Sequence, residues 1–258
     1  MAEARLDINL DEDFERLPHA PIVEAVIHWR ARAERTLDPE QFLGALKERL
    51  DDYPHHQPQH EIQLETHFGP QGSLAKQEAH WQGFRFESTD KLHIAQFTRN
   101  GFVFSRLKPY EHWEPFEAEA TRLWSIYLEL ANPTEVQRLG VRFINAVASV
   151  PTARVGSFLT MPPKSPTKMQ LGISGFMHQT TYDVPGHPYK INVIQTSQPS
   201  SSPDAKGDTL IVDLDVFSTH PIPCEDESLS SRLEEMRYLK DKMFFTLMKP
   251  KALKQFRE

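Results

Sequence analysis

Cysteine is nearly absent from this chain: one residue, Cys224, in 258. A single thiol excludes an intramolecular disulfide and a cysteine-rich zinc site, and it fits a reducing compartment. Cys224 also sits in the stretch Pro223-Cys224-Glu225-Asp226, where acidic neighbours disfavour the thiolate. Glycine-rich fingerprints are missing too. No GxGxxG, GxxxxGKS/T or GxSxG pattern occurs, so dinucleotide and P-loop chemistry are disfavoured and no cofactor is implied. Nowhere do about 18 apolar residues run together, and the start MAEARLDINLDEDFERLPHAP has neither the basic opening nor the apolar run of a signal peptide. These absences set the expectation of a cytoplasmic protein without membrane contact. Positive charge is in short supply as well: 29 Lys and Arg against 36 Asp and Glu leave a net charge of −7. That balance repels a phosphate backbone at long range, although steering depends on how charge is distributed as well as on its total.

What is present is ordinary globular material. Hydrophobic residues make up 39% of the chain, with 16 Phe and 4 Trp, enough to fill a substantial core. After a polar lead-in at 1–18, Ile22 to Arg30 alternates as a half-buried strand does. Asp38-Pro39 then signals a helix start, and Phe42, Leu43, Leu46 and Leu50 follow at helical spacing until Tyr53-Pro54. Alternation returns at Glu61–Phe68 and Trp81–Glu87. Leu92–Phe97 and Phe102–Leu107 flank Arg99-Asn100-Gly101, and Asn-Gly supplies the positive φ angles of a two-residue hairpin turn. A long helix runs from Pro115 to Asn132-Pro133, with Phe116, Leu123, Trp124, Tyr127, Leu128 and Leu130 on its apolar side.

The remainder repeats this order. Strands are expected at Arg138–Val147, Ile173–Asp183, Tyr189–Thr196 and Thr209–Phe217, with a short helix near Val155–Thr160. A closing helix runs from about Ser228 to Met248, its inward spacing including Leu233, Met236, Lys240 and Phe244. Loops rich in Pro and Ser fall at Met161–Gln170 and Ser197–Asp208. The expected class is α+β: one domain at 19–258, a curved, mostly antiparallel sheet with helices on one face, built as two pseudo-duplicated halves at about 19–133 and 134–258.

The segments Pro21-Ile22-Val23-Glu24-Ala25-Val26, Tyr110 to Phe116 (YEHWEPF), Arg138 to Asn145 (RLGVRFIN) and Leu214-Asp215-Val216-Phe217, with a Phe-containing closing helix, resemble a sporadically distributed family of uncharacterised bacterial proteins. That family has a PPIxEA-like start and an RxGLRYIN-like centre. This chain departs from the pattern at Ala20, where a first proline is usual, and at Phe143, where tyrosine is usual. The resemblance implies no established activity; its patchy distribution implies an accessory locus such as phage defence or toxin–antitoxin.

Four residues are the candidates for chemistry. Asp213 and Asp215, two apart on one strand, point to the same face and could hold a divalent metal with a substrate phosphate; the bland reading is a solvated face or an ion-pair network. Arg142 interrupts an apolar strand and needs a carboxylate partner. Glu24, Asp213 and Asp215 are available, and a Glu24–Arg142–Asp215 cluster lining a groove between the halves is the expectation. His55, His56, His60 and His67 are the densest histidine group, but they sit around Pro54 and Pro58 without a cysteine or an HExxH helix, which reads as a solvated loop. Trp81, Phe84, Arg85, Phe86, Phe97, Phe102 and Phe104 interleave aromatic and basic residues as a single-strand stacking surface would, yet aromatics at even spacing in strands are ordinarily core.

The expected function is a non-enzymatic binding or regulatory protein engaging a protein partner or a small ligand. A metal-assisted hydrolase or phosphotransfer enzyme built on Asp213 and Asp215 is the alternative, and a single-stranded nucleic-acid binder is the second.

Overall fold

The computed structural model describes residues 5–69, 72–166, 168–169, 171–200, 207–224 and 227–257, the side chains of 63–69 and 72–77 excepted. In chain order the elements are β1 (Ile22–Arg30), α1 (Pro39–Lys47), β2 (His55–Gly69), β3 (Gly72–Glu87), β4 (His93–Thr98), β5 (Gly101–Leu107), α2 (Trp113–Ala131), β6 (Glu135–Val136), β7 (Arg138–Val150), a 3-10 turn (Thr152–Ser157), β8 (Met177–Asp183), β9 (Lys190–Gln198), β10 (Asp208–Ser218), β11 (Ile222–Pro223), α3 (Ser228–Leu247) and α4 (Pro250–Lys254). Among the described residues nine strands form one sheet in the order β2-β3-β4-β5-β1-β7-β10-β9-β8, and β11 pairs with β6. Every pairing is antiparallel. The α+β class and the antiparallel sheet are as the sequence predicts.

Alternation decides which face is buried. Ala25, Ile27 and Trp29 of β1, Phe102 and Phe104 of β5, Leu139, Val141 and Phe143 of β7, and Val212, Leu214 and Val216 of β10 are buried and share one side of the sheet. The helices cover that side. Trp124 of α2 stacks on Trp29 with ring centroids 5.4 Å apart, Phe116 lies on Phe104 at 5.4 Å, and Phe42 of α1 meets Phe84 at 6.5 Å. Burying each such ring contributes about 2–3 kcal/mol, and the offset aromatic pairs add to it.

Helix ends follow local chemistry. The Asp38 carboxylate accepts from the backbone N–H groups of Glu40 and Gln41 at 3.1 and 3.0 Å, with Pro39 in the first turn. Asn132 ends α2 in the left-handed region at φ 49°, its N–H donating to the Leu128 carbonyl.

Several expectations need correction. The stretch holding His55, His56 and His60 belongs to β2 instead of a loop, because strand pairing with β3 runs from His55↔Glu87 to Gly69↔Gly72. The strands expected at Glu61–Phe68 and Trp81–Glu87 are thus parts of one long hairpin. Among the described residues its outer portion has no third strand, since β4 joins β3 only along Gly83–Glu87. Register Thr98↔Gly101 makes Arg99-Asn100 the two-residue β4–β5 turn, and Gly101, at φ 144°, is the first residue of β5. Glycine is needed there for close approach: a Cβ would lie 2.1 Å from the Trp29 carbonyl oxygen. The short helix near 155–160 is a 3-10 turn at Thr152–Ser157, α2 begins at Trp113, and β8 begins at Met177.

The lead-in at 1–18 is pinned over the part described. Phe14 packs on Tyr238 and Phe245, Glu12 accepts hydrogen bonds from Tyr238 (3.0 Å) and Lys242 (2.6 Å), and Glu15 pairs with Arg257. Three apolar side chains, Ile8, Phe14 and Leu17, pack an otherwise charged segment against the core. No helix among the described residues is long and apolar enough to cross a membrane.

Candidate functional site

The middle of the sheet is the antiparallel pair β1–β7, with β10 on the far side of β7. Register Val26↔Arg142↔Asp215 and Glu24↔Ile144↔Asp213 puts Glu24, Arg142, Asp213 and Asp215 on one face, the face without helices. All four candidates are brought together, but the partners differ from the expected set. Arg142 grips Asp213 with two hydrogen bonds, Nε to Oδ1 at 2.8 Å and Nη2 to Oδ2 at 2.5 Å. Asp215, although directly opposite Arg142, accepts from Nη2 of Arg138 at 2.7 Å. The Arg142–Asp213 pair is diagonal across the β7–β10 ladder, a reach that long side chains manage easily, whereas Arg138 stretches further along the ladder, past Gly140, to reach Asp215. Glu24 forms no hydrogen bond to Arg142 and acts on it through its charge alone.

Burial grades the two pairs. Arg142 keeps 46% of its side chain exposed while Asp213 keeps 8%, so the arginine is a surface residue covering a buried acid. The bond to Asp213 raises the guanidinium pKa. Arg138 is more enclosed: its guanidinium also meets His28 Nδ1 at 3.1 Å and lies 4.6 Å from the Phe217 ring centroid. Burial, followed by the charges of Arg138 and Arg30, pushes the His28 pKa down to about 4, so the ring is neutral at pH 7 and its Nδ1 can accept from Arg138. Burial raises the Asp215 pKa against the opposing pull of Arg138.

Both carboxylates are thus engaged by guanidinium groups. Among the described residues no three His, Cys, Asp or Glu side chains assemble as a metal-holding group. His55, His56 and His60 are exposed along β2, and the His67 side chain lies outside the described residues. Phe84, Phe86, Phe97, Phe102 and Phe104 are buried in the core, and Arg85 is bound to Glu87. These rings face the helices and offer no stacking surface to a nucleic acid.

A second arrangement occupies the opposite face. The approach to α2, the middle of α3, Phe143 and Asn145 of β7, and the segment 10–22 enclose a cleft of about 690 Å³. Sequence reasoning expected a groove lined by Glu24, Arg142 and Asp215; this cleft lies behind the sheet and is lined by none of them. Lys240 of α3 lines this cleft and is buried, 7% exposed, its Nζ 3.9 Å from the Phe143 ring centroid and 2.5 Å from Asp241 Oδ1. Tyr110 stands edge-on to Phe143 at 5.2 Å. Burial, with the Asp241 charge second, raises the pKa of its hydroxyl, which stays a donor at neutral pH. Trp113 donates its indole N–H to Glu234, which also accepts from Arg237 at 3.2 Å. Asn145 is held by donations to the Phe143 and Val212 carbonyls at 3.3 and 3.0 Å.

Sequence reasoning missed Arg138 and Lys240. The signals were there: Arg138 and Arg142 are four apart on β7, opposite two aspartates on β10, and Lys240 is a charged residue within the helical spacing of Met236 and Phe244. Tyr110, Trp113, Phe143 and Asn145 were singled out only within the segments that carry the family resemblance.

Compared with protein-family models, curated proteins and solved structures, the chain matches none of them.

Proposed function

We propose that this is a binding protein whose ligand is a small amphipathic molecule seated in the cleft behind β7. The observation that carries this reading is the enclosure of Lys240, a buried cation, in a cleft of about 690 Å³ walled by Tyr110, Trp113, Phe143 and Tyr238. Pockets that take small molecules are concave and largely apolar, with a few polar groups to orient the ligand. Here the rings supply the apolar wall, and Lys240, Arg237 and the Tyr110 hydroxyl supply polar points among a rim that also carries Glu12, Asp13, Glu15, Glu111, Glu114, Glu234 and Asp241; Lys240 is paired with Asp241, and Arg237 with Glu114 and Glu234.

Two further features support it. The strand order is similar on the two sides of β1–β7, with four strands beyond β1 and three beyond β7, each half running from a central strand through outer antiparallel strands to a long helix; this supports a pseudo-duplicated, curved sheet with the cleft at the join. Three of the segments that resemble the sporadic bacterial family contribute Pro21, Tyr110 and Phe143 to the cleft lining, which fits a binding role shared through that resemblance. A regulatory role in an accessory locus and a cytoplasmic location belong to the same proposal. A protein partner fits the helix-free face, where Arg142 is exposed at the sheet centre.

The test uses anilinonaphthalene sulfonate, an aromatic anion that fluoresces in apolar sites. Saturable one-to-one binding to the folded protein, weakened about ten-fold in Lys240→Met, is expected. Absence of saturable binding, or equal binding by the variant, would overturn the proposal.

A further inference from the structure

At the other end of β1, four arginines converge around a single carboxylate, Glu34, and among the described residues none of them forms an ion pair. The chain leaves the sheet at Arg30 as an extended segment, Arg30-Ala31-Arg32-Ala33-Glu34-Arg35. Ala31 N–H donates to the Asn100 carbonyl at 3.0 Å and Ala33 N–H to the Arg99 carbonyl at 2.9 Å, so strand-like alternation continues beyond β1. Ala31 is buried, and Arg30 and Arg32 are turned outward. The β4–β5 turn supplies Arg99. Arg35 joins them, its backbone N–H bonded to the Ala131 carbonyl at 3.3 Å and its Nη1 to the Glu129 carbonyl at 3.2 Å.

These four arginines line a pocket of about 470 Å³ together with amide-bearing residues such as Gln82; Glu34 is the one carboxylate in its lining. Among the described residues no carboxylate lies within 4.0 Å of the guanidinium groups of Arg30, Arg32, Arg35 or Arg99. The other arginines described above behave differently: Arg138, Arg142, Arg237 and Arg257 each hold an acid. In a chain of net charge −7, four cations gathered around one concavity repel one another unless an anion sits among them.

We propose that this pocket binds an oligophosphate, the di- or triphosphate group of a small phosphorylated ligand. Guanidinium forks match phosphate oxygens two at a time and do not lose their charge. Four of them exceed what one phosphate needs and suit a chain of two or three. The lining contains no aromatic side chain, so there is no platform for stacking bases as a single-stranded nucleic-acid site requires; the phosphates are what is read. The pocket is separate from the cleft behind β7 and shares no lining residue with it.

Isothermal titration calorimetry with sodium tripolyphosphate at about 150 mM salt tests this. One-to-one binding is expected, weakened about ten-fold in Arg32→Gln and in Arg99→Gln and unchanged in Arg154→Gln, a remote exposed control. Both test positions are exposed, so thermal melts of the variants should match the parent. ATP should compete with tripolyphosphate at similar affinity, and anilinonaphthalene sulfonate binding should persist in both variants. Absence of tripolyphosphate binding, indifference to Arg32→Gln and Arg99→Gln, or equal affinity for sulfate would overturn the proposal. Tighter binding of a thymidine oligonucleotide through the same arginines would overturn it in favour of a nucleic-acid backbone.

Discussion

Gly140 lies directly beneath the guanidinium of Arg138: a Cβ at position 140 would fall 2.6 Å from Nη1 of that arginine. The guanidinium is fixed by Asp215, His28 and Phe217, so it cannot swing aside without losing them. Gly140→Ala should therefore displace Arg138 and leave the half-buried Asp215 without its partner. The expected loss is about 1–3 kcal/mol, read by urea denaturation. An unchanged midpoint would show that the arginine relocates freely.

The pH dependence of stability should carry the mark of His28. Its folded pKa is about 4 against an ordinary 6.5, so the unfolded chain takes up a proton before the native one. Stability contributed by the neutral ring is complete above pH 6.5, falls as pH drops, and is gone near pH 4. The gap corresponds to about 3 kcal/mol at most. Asp215 works with the opposite sign: its raised folded pKa favours the native state in acid and costs stability above its ordinary value. The acid limb should thus be shallower than His28 alone would give, and His28→Gln should flatten it further. Denaturation midpoints at pH 7, 5.5 and 4.5 check this.

Arg142 and Asp213 should couple strongly. Removing the arginine leaves a carboxylate that is 8% exposed without a partner, so Arg142→Met should cost about 2 kcal/mol. Replacing both, as Arg142→Met with Asp213→Leu, should recover most of that loss, because a well-packed apolar pair often matches an ion pair. A double-mutant cycle measures the coupling; a value near zero would mark the pair as ornamental.

Gly101→Ala should be among the most damaging single changes, at about 3 kcal/mol. The added methyl collides with the Trp29 carbonyl and must adopt a φ of 144°. Asn100→Ala, one residue earlier in the turn and exposed, should cost well under half as much. Thermal melts of the two variants separate close approach at Gly101 from the turn preference of Asn100.

Much of the fold could be read locally. The capped start of α1 at Asp38, the stop of α2 at Asn132, the β4–β5 hairpin and the alternation of β1 depend on residues within a few positions of each other. The long β2–β3 hairpin was less legible, because Pro54 and Pro58 look like loop residues when no partner strand is known. The candidate site was half legible. Even spacing placed Asp213 and Asp215 on one face, but their distribution between Arg138 and Arg142 depends on the β7–β10 register, which sequence does not state.

The sequence by itself determined the kinds of elements and their order, since helix caps, turns and hydrophobic periods are nearest-neighbour chemistry. Only the tertiary structure decided which strands lie side by side beyond the hairpins, that the arginine–aspartate pairs and the Lys240 cleft occupy opposite faces, and that Arg30, Arg32 and Arg35 meet Arg99. Each of those juxtapositions joins residues dozens to more than a hundred positions apart. They arise from burying apolar faces against one another, a condition that no short window of sequence contains.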